Sequence, residues 1–137
     1  MSKENVETVR RLFEAVERRD LAGVLAAYDP EIVIREADSL PYGGVYQGYE
    51  GAANHGSGYV AAWGKLQTST EQKMDAEFLD AGDCVVVIWR QRAAKNDGEK
   101  FDAPAVSVYK MRDGKIIESQ MFHADTAAVL RFLESGK

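Results

Sequence analysis

A histidine and a carboxylate lie two residues apart near the end of the last predicted strand, and both residue types can move protons. His123 and Asp125 share one strand face if the strand extends that far, so they could act on one ligand. Removing a proton next to a carbonyl group needs such a base and a donor for the developing enolate. Other interpretations stay open, since Asp125 before Thr-Ala-Ala is also typical of a helix N-cap, and His123 of a core or interface histidine.

A second carboxylate, Glu36, ends a predicted strand over residues 31–36. Ile32 and Ile34 lie on the same strand face as Glu36, and we assign that face to the interior. An apolar pocket can raise the pKa of a carboxylate by desolvation, which makes a carboxylate a better proton acceptor. The alternative is that Glu36 is the exposed end of the strand.

Several residues that could contact a ligand lie further along the chain. Tyr42 and Tyr46 belong to a glycine-bearing loop, residues 37–48, where their hydroxyls either orient a ligand or pack the loop. His55, on a predicted helix, is a candidate general acid or a surface or capping residue. Trp63 is interpreted as core or pocket wall.

Two arginines, Arg90 and Arg92, lie on one face of a long predicted strand. A guanidinium group can pair with a pocket carboxylate or bind an anionic substrate through two parallel hydrogen bonds. The alternative places both arginines on a sheet face at a dimer interface.

Composition excludes several classes of function. The 137 residues include 17 basic and 22 acidic side chains, and no basic cluster resembles a nucleic-acid footprint. The single cysteine, Cys84, excludes an internal disulfide and a cysteine-based zinc site, and we expect no metal and no cofactor. The longest apolar run, Cys84 to Trp89, is far shorter than a membrane span, and the first residues do not resemble a signal peptide. We therefore expect a cytoplasmic protein with no nucleic-acid or membrane partner.

The elements that must position the candidate residues change character along the chain. Apolar residues first recur at helical spacing and later alternate with polar residues at the period of a strand. The predicted elements are a helix around Val6 to Val16, a helix from Asp20 through Tyr28, a strand Glu31 to Glu36, a helix Tyr49 to Leu66, alternation around Met74 to Phe78, strands Cys84 to Ala94, Phe101 to Met111 and Ile116 to Ala124, and a final helix after Asp125-Thr126. This order predicts one α+β domain over residues 1–137, with a curved, mostly antiparallel sheet around a helix and an apolar pocket inside the cone.

Five segments in this order resemble the nuclear-transport-factor-2-like (NTF2-like) superfamily, and more narrowly its ketosteroid-isomerase-related and SnoaL-like polyketide-cyclase branch. The segments are Arg19 to Val24, Tyr28 to Val33, Pro41 to Gly48, Arg112 to Glu118 and Asp125 to Ala127. The resemblance implies a cone-shaped fold with an internal pocket, but it does not imply one reaction, because the superfamily hosts isomerases, cyclases and non-catalytic binders.

The resemblance also implies roles for two carboxylates. The isomerases have a carboxylate base at the end of the first strand, which by position is Glu36 or, as the weaker match, Asp38. Their tyrosine donor on the first helix has no counterpart in the stretch from Arg11 to Glu14. The cyclase-like members place an acidic residue near the end of the last strand, which matches Asp125.

We therefore expect an isomerase- or cyclase-type enzyme that uses carboxylate acid–base chemistry on a small hydrophobic substrate. Asp125, Glu36 and His123 are the expected catalytic residues, and Tyr42, Tyr46, His55, Arg90 and Trp63 the expected substrate-binding ones. The alternative is a non-catalytic binding protein for a hydrophobic or aromatic small molecule. A homodimer is expected in both cases, because the open sheet face is commonly paired in this superfamily.

Overall fold

The structure, a computed structural model, describes residues 2–134. Within these residues it contains α1 (Ser2–Glu17), α2 (Leu21–Ala26), β1 (Tyr28–Glu36), β2 (Gly44–Gln47), α3 (Gly48–Trp63) with a 3₁₀ turn (Gly64–Leu66), α4 (Ser69–Gln72), β3 (Glu77–Asp80), β4 (Cys84–Ala94), β5 (Lys100–Arg112), β6 (Lys115–His123) and α5 (Thr126–Glu134). Helices and an extended sheet are segregated, so the predicted α+β class is confirmed. No helix in residues 2–134 is long and apolar enough to cross a membrane.

The six strands form one sheet in the order β2-β1-β6-β5-β4-β3. Every neighbouring pair is antiparallel except β1 and β6, which run parallel with Ile34 opposite Ser119. This parallel pairing brings the first and last strands of the chain together at the centre of the sheet. As a result, the end of β1 at Glu36 lies beside the part of β6 that leads to His123.

The two faces of the sheet differ in burial because side chains alternate along each strand. In β4, Val85, Val87 and Trp89 are buried, whereas Ile88 between them is 40% exposed. The inner face packs on the apolar stripe of α1, where Val9 and Leu12 are almost fully buried. The sheet therefore has one face toward the helices and one face toward solvent.

Strand β1 begins at Tyr28, so the prediction that Tyr28 belongs to the second helix is wrong. Helix α2 ends at Ala26, and the N–H of Ile116 in β6 donates to the Ala27 carbonyl at 3.0 Å. Strand pairing with β6 thus begins immediately after the helix and overrides the helical spacing of the apolar side chains. Tyr28 is consequently a sheet residue, and only 6% of it is exposed.

Two short elements were not predicted. The glycine-bearing loop contains β2, whose Tyr46 pairs with Ile34 of β1. Helix α4 begins with a capping box, in which Thr68 and Glu71 satisfy each other's backbone N–H groups. Both elements are four residues long, which is too short for a periodic pattern to be visible.

Candidate functional site

A cavity of about 830 Å³ lies between helices α1 to α3 and the inner face of the sheet. Its walls are mostly apolar and include Leu12, Phe13, Val24, Met74, Trp89 and Met121. The volume lies within the range of about 300–1,000 Å³ that is typical of small-molecule sites. The cavity can therefore hold a ligand of several fused rings.

The main ionisable pair of the cavity is His55 of α3 and Glu36 at the end of β1. The His55 Nε2 atom lies 2.6 Å from Glu36 Oε2, and the two side chains are 14% and 0% exposed, respectively. His55 lines the cavity, whereas Glu36 lies behind it. Within residues 2–134, the other carboxylate oxygen, Oε1, is buried and has no hydrogen-bond partner.

This geometry leaves one imidazole nitrogen available to a ligand. A carboxylate accepts a hydrogen bond from Nε2–H, which fixes the neutral ring in the tautomer whose Nδ1 atom is an unprotonated acceptor. The His55 Nδ1 atom makes no hydrogen bond to any group in residues 2–134. The pair can thus present a basic nitrogen on the cavity wall.

Two tyrosines of the 37–48 loop, Tyr42 and Tyr46, pack against the His55 ring. The Tyr46 ring centroid lies 5.2 Å from that of His55, and the Tyr46 hydroxyl donates to the Tyr42 carbonyl at 2.9 Å. Trp63 Nε1–H in turn donates to the Tyr42 hydroxyl at 2.9 Å. A Cβ atom on Gly58 would lie only 3.0 Å from that of Tyr42, so this glycine lets α3 approach the loop. The predicted ligand contacts Tyr42, Tyr46 and Trp63 therefore support His55 and are not on the cavity wall.

Hydroxyl groups on the sheet form a second polar part of the cavity wall, which sequence reasoning missed. Tyr28, Ser107, Tyr109 and Ser119 all line the cavity from β1, β5 and β6. Burial raises the pKa of Tyr28 and Tyr109 far above the usual range for a phenol, and the nearby Glu36 carboxylate raises both further. These hydroxyls consequently stay protonated and can donate hydrogen bonds.

His123 lies on the inner face of the sheet but is not part of the cavity wall. Its ring packs edge-on to Trp89 at a centroid distance of 6.2 Å, and its buried Nε2 atom has no partner in residues 2–134. Burial lowers the pKa of His123, so the neutral ring is favoured. Of the interpretations that the sequence left open for His123, a histidine in the core agrees with this position.

Asp125 does not share a strand face with His123, because β6 ends at His123. The exposed Asp125 carboxylate accepts a hydrogen bond from the Ala128 N–H at 3.1 Å, which is the geometry of a helix N-cap. Helix α5 then packs over a second apolar cluster, where Phe132 stacks near Trp63 at 6.3 Å. This arrangement separates Asp125 from the cavity.

Arg90 lies on the outer face of the sheet, opposite the cavity. Its Nε–H donates to Asp102 Oδ1 at 2.6 Å, and Arg92 lies 3.4 Å from the other oxygen of the same carboxylate. Adjacent positions of β4 point inward, including Gln91, whose side-chain oxygen accepts from the Tyr59 hydroxyl at 2.9 Å. A ligand in the cavity therefore cannot reach Arg90.

The residues described, 2–134, hold no group of three His, Cys, Asp or Glu side chains that could bind a metal ion. The buried carboxylate Glu36 has a single histidine beside it and a tyrosine-rich surrounding.

Comparison with known families gives one match over most of the chain. A model of the SnoaL-like domain matches residues 9–119. A comparison with curated proteins finds no match.

Solved structures with similar folds cover nearly the whole chain. An NTF2-like protein of unknown function from Burkholderia pseudomallei K96243 is 26% identical, covers 96% of this chain and 98% of its own, and has a TM-score of 0.82. TerC, co-crystallised with polyporic acid, is 23% identical over 96% of this chain and 99% of its own, with a TM-score of 0.82. A protein from Jannaschia sp. CCS1 that is assigned as a SnoaL-like polyketide cyclase is 22% identical, covers 99% of this chain and 95% of its own, and has a TM-score of 0.79. These similarities confirm the predicted NTF2-like fold.

Proposed function

Because this chain belongs to the SnoaL-like domain family, we propose that it is an isomerase- or cyclase-type enzyme acting on a small hydrophobic carbonyl compound. The contact between His55 and Glu36 carries the proposal, since a buried carboxylate 2.6 Å from a cavity-lining imidazole is an acid–base pair. The structural neighbour from Jannaschia sp. CCS1 is assigned to the SnoaL-like polyketide cyclases, and this assignment supports the same class of chemistry.

In the proposed reaction, His55 Nδ1 removes a proton from the carbon next to the substrate carbonyl. The C–H bonding electrons move into the new C=C bond of an enolate, and the carbonyl oxygen takes the negative charge. The imidazolium that forms is stabilised by the Glu36 carboxylate at Nε2. Both the base and its partner are shielded from water, which strengthens this electrostatic stabilisation.

The enolate then has two fates, one for each reaction of this class. In an isomerisation, the imidazolium returns the same proton to a different carbon of the conjugated system. In a cyclisation, the enolate carbon attacks a second carbonyl of the same molecule, and the imidazolium protonates the new alkoxide. In both reactions, His55 returns the proton that it removed.

Glu36 acts through His55 in this scheme and is a positioning residue. Its carboxylate is fully buried and lies behind the imidazole, so it has no direct contact with the cavity. We therefore assign proton transfer to His55 and orientation of the ring to Glu36, whereas the resemblance to the isomerases predicted Glu36 as the base.

Exchange of solvent deuterium into a simple ketone tests the proposal without knowledge of the natural substrate. β-Tetralone has acidic protons next to its carbonyl, and a base in the cavity should catalyse their replacement by deuterium, followed by NMR. We expect the catalysed rate to fall by about a hundredfold or more in His55→Ala, the usual loss of a general base. Arg90→Ala, on the outer face, is the matched control and should keep the wild-type rate.

Three results would decide between the alternatives. A wild-type rate equal to that of buffer overturns the enzymatic proposal for this class of ketone. If a ligand then binds in the cavity and is recovered unchanged, the second candidate function, a binding protein for hydrophobic molecules, is the correct one. A catalysed rate that survives His55→Ala rejects His55 as the base.

We also propose that the protein is a homodimer formed through the outer face of the sheet. Ile88, Val106 and Phe122 lie side by side across three neighbouring strands on this face, and Phe122 is 52% exposed. Light scattering should give twice the monomer mass of 15.2 kDa, and Phe122→Glu should reduce it to that of the monomer. A wild-type mass of one chain contradicts the proposal.

A further inference from the structure

Two tyrosines of the hydroxyl-bearing wall have no role in the proton transfer described above. Tyr28 and Tyr109 line the cavity, and their side chains are only 6% and 5% exposed. The Tyr28 hydroxyl makes no hydrogen bond to any group in residues 2–134. A phenol that lines a cavity and has no protein partner can donate its hydrogen bond to a ligand.

Ser107 and Tyr109 lie two residues apart on the cavity-facing side of β5. Trp89 Nε1–H donates to the Ser107 hydroxyl at 3.0 Å, so the hydrogen of Ser107 is free to donate onward. A hydrogen bond with Ser107 partly offsets the rise that burial causes in the pKa of Tyr109. If Ser107 donates to Tyr109, the Tyr109 O–H points away from Ser107 and toward the cavity. Hydrogen bonds in such a chain strengthen one another.

Tyr28 and Tyr109 lie on the two strands that flank β6, where Tyr28 is opposite Ile116 and Tyr109 is opposite Ser119. A negative charge on Tyr28 raises the pKa of Tyr109, and the Glu36 carboxylate raises the pKa of both. The two phenols consequently remain O–H donors, and the group that satisfies both must be an acceptor. A carbonyl oxygen has two lone pairs and no hydrogen, which fits two donors.

The surroundings of these hydroxyls favour an aromatic ligand. Phe13 lies edge-on to both Tyr109 and Trp89, with centroid distances of 6.0 and 6.3 Å, and all three residues line the cavity. Met74 and Met121 also line it, and methionine sulfur makes favourable contacts with aromatic rings. A planar ring system can therefore pack on apolar walls while its oxygen reaches the phenols.

We propose that Tyr28 and Tyr109 form a binding subsite for the carbonyl or enolate oxygen of an aromatic ketone. The assignment of the oxygen to the substrate carbonyl rests on the proposed function, since the same oxygen gains charge when His55 removes the neighbouring proton. Binding of the ketone itself does not depend on proton transfer. The subsite makes the cavity selective, because a ligand without an acceptor leaves two buried donors unpaired.

A pair of rigid probes of nearly the same shape tests the subsite. Fluorenone carries a ring carbonyl, whereas fluorene has a methylene group at that position. The two carbons next to the fluorenone carbonyl bear no proton for His55 to remove. Dissociation constants of both probes are measured by fluorescence or calorimetry for the wild type, Tyr28→Phe and Tyr109→Phe. Infrared spectroscopy of bound fluorenone reports directly on hydrogen bonds to its carbonyl.

We expect each phenylalanine variant to bind fluorenone about threefold to tenfold more weakly, the usual effect of one hydrogen bond, and to bind fluorene as the wild type does. The carbonyl stretch should move to higher frequency in both variants. Thr8→Val is the control, because it removes a hydroxyl that donates to the Gly114 carbonyl at 2.9 Å, outside the cavity wall. Thr8→Val should change neither affinity nor frequency.

Equal losses for both probes would show a structural effect and overturn the subsite, and so would unchanged binding of fluorenone. Failure of the wild type to bind either probe also overturns it. These results are independent of β-tetralone exchange. Lost exchange in His55→Ala with no probe discrimination refutes the subsite alone, whereas discrimination without exchange refutes only the enzymatic proposal.

Discussion

Two charged pairs with the same separation lie on opposite faces of the sheet. His55 Nε2 and Glu36 Oε2 are 2.6 Å apart on the inner face, and Arg90 Nε and Asp102 Oδ1 are 2.6 Å apart on the outer face. The inner side chains are 14% and 0% exposed, whereas the outer ones are 39% and 52% exposed. The pairs thus differ in their environment and not in their contact distance.

The environment determines what each pair can do. Water and salt screen the outer pair, and Asp102 has a second cationic neighbour in Arg92. The inner pair has lost its water, and one carboxylate oxygen lacks any partner within residues 2–134. Such an uncompensated buried group costs stability and is typical of functional sites. The distance alone would have made the two sites look equivalent.

The largest expected effect concerns catalysis by the two pairs. In Glu36→Gln, the amide NH₂ can donate to His55 Nε2 and shift the proton of the ring to Nδ1. We expect the turnover rate of β-tetralone exchange to fall about tenfold to a hundredfold at unchanged KM, with an altered pH profile. Glu36→Asp should restore part of the rate, and Asp102→Asn should match the wild type. An equal loss in Asp102→Asn would remove the functional distinction between the faces.

The next effect is on the free energy of unfolding, measured with urea. Glu36→Gln changes a buried hydrogen bond and should alter stability by about 1–3 kcal/mol. Asp102→Asn removes an exposed ion pair and should cost less than about 1 kcal/mol. Similar values for both variants would mean that burial does not separate the two pairs energetically.

A smaller effect is the pH dependence of the free energy of unfolding, which should differ between the two faces of the sheet. Burial lowers the pKa of His123 from its ordinary value of 6.5, so the unfolded chain takes up this proton first as the pH falls. The stability that the neutral His123 contributes is therefore present above pH 6.5 and is lost as the pH falls below that value. His123→Phe should flatten the stability profile in that window, by at most the uptake of one proton. An unchanged profile would show that His123 is solvated.

On the outer face, the same measurement has a different window. The hydrogen bond from Arg90 holds the pKa of Asp102 below its ordinary 3.8, although desolvation opposes this. Stability from this pair is present above that value and is lost as the pH falls below it. Asp102→Asn should consequently change the profile only in acid, with no effect in the window of His123.

The smallest effect is the response to salt. Raising the ionic strength to about 0.5 M screens exposed charges, so the cost of Asp102→Asn should shrink by a few tenths of a kcal/mol. The cost of Glu36→Gln should stay constant, because no ions reach the buried pair. Urea titrations at low and high NaCl concentration check both values, and equal salt sensitivity would contradict the assigned burial of Glu36.

Local patterns predicted the strands of the second half well and the chemistry of the cavity only in part. The alternation of Ile32 and Ile34 placed Glu36 on the inner face, where the structure has it. Strand β4 spans the predicted residues from Cys84 to Ala94. These features depend on neighbouring side chains and on the period of the strand, so they can be predicted from a single sequence.

The remaining features depend on contacts between distant parts of the chain. His55 lies 19 residues from Glu36 along the chain. The apolar pattern of its helix is weak where Gly58 stands in place of a larger side chain and lets the helix approach Tyr42. Tyr28 was assigned to a helix, since its pairing with Ile116 of β6 is not visible locally. Asp125 was open to two interpretations, which only the end of β6 at His123 separates.

Nitrogen NMR of the His55 ring tests the central claim most directly, because the proposed base is one particular nitrogen atom. The chemical shifts of the two ring nitrogens distinguish the two neutral tautomers and the imidazolium form. For the neutral ring we predict a proton on Nε2, shared with Glu36, and a bare Nδ1 that faces the cavity. A neutral ring with its proton on Nδ1 would contradict the account, since no free base would then face the ligand.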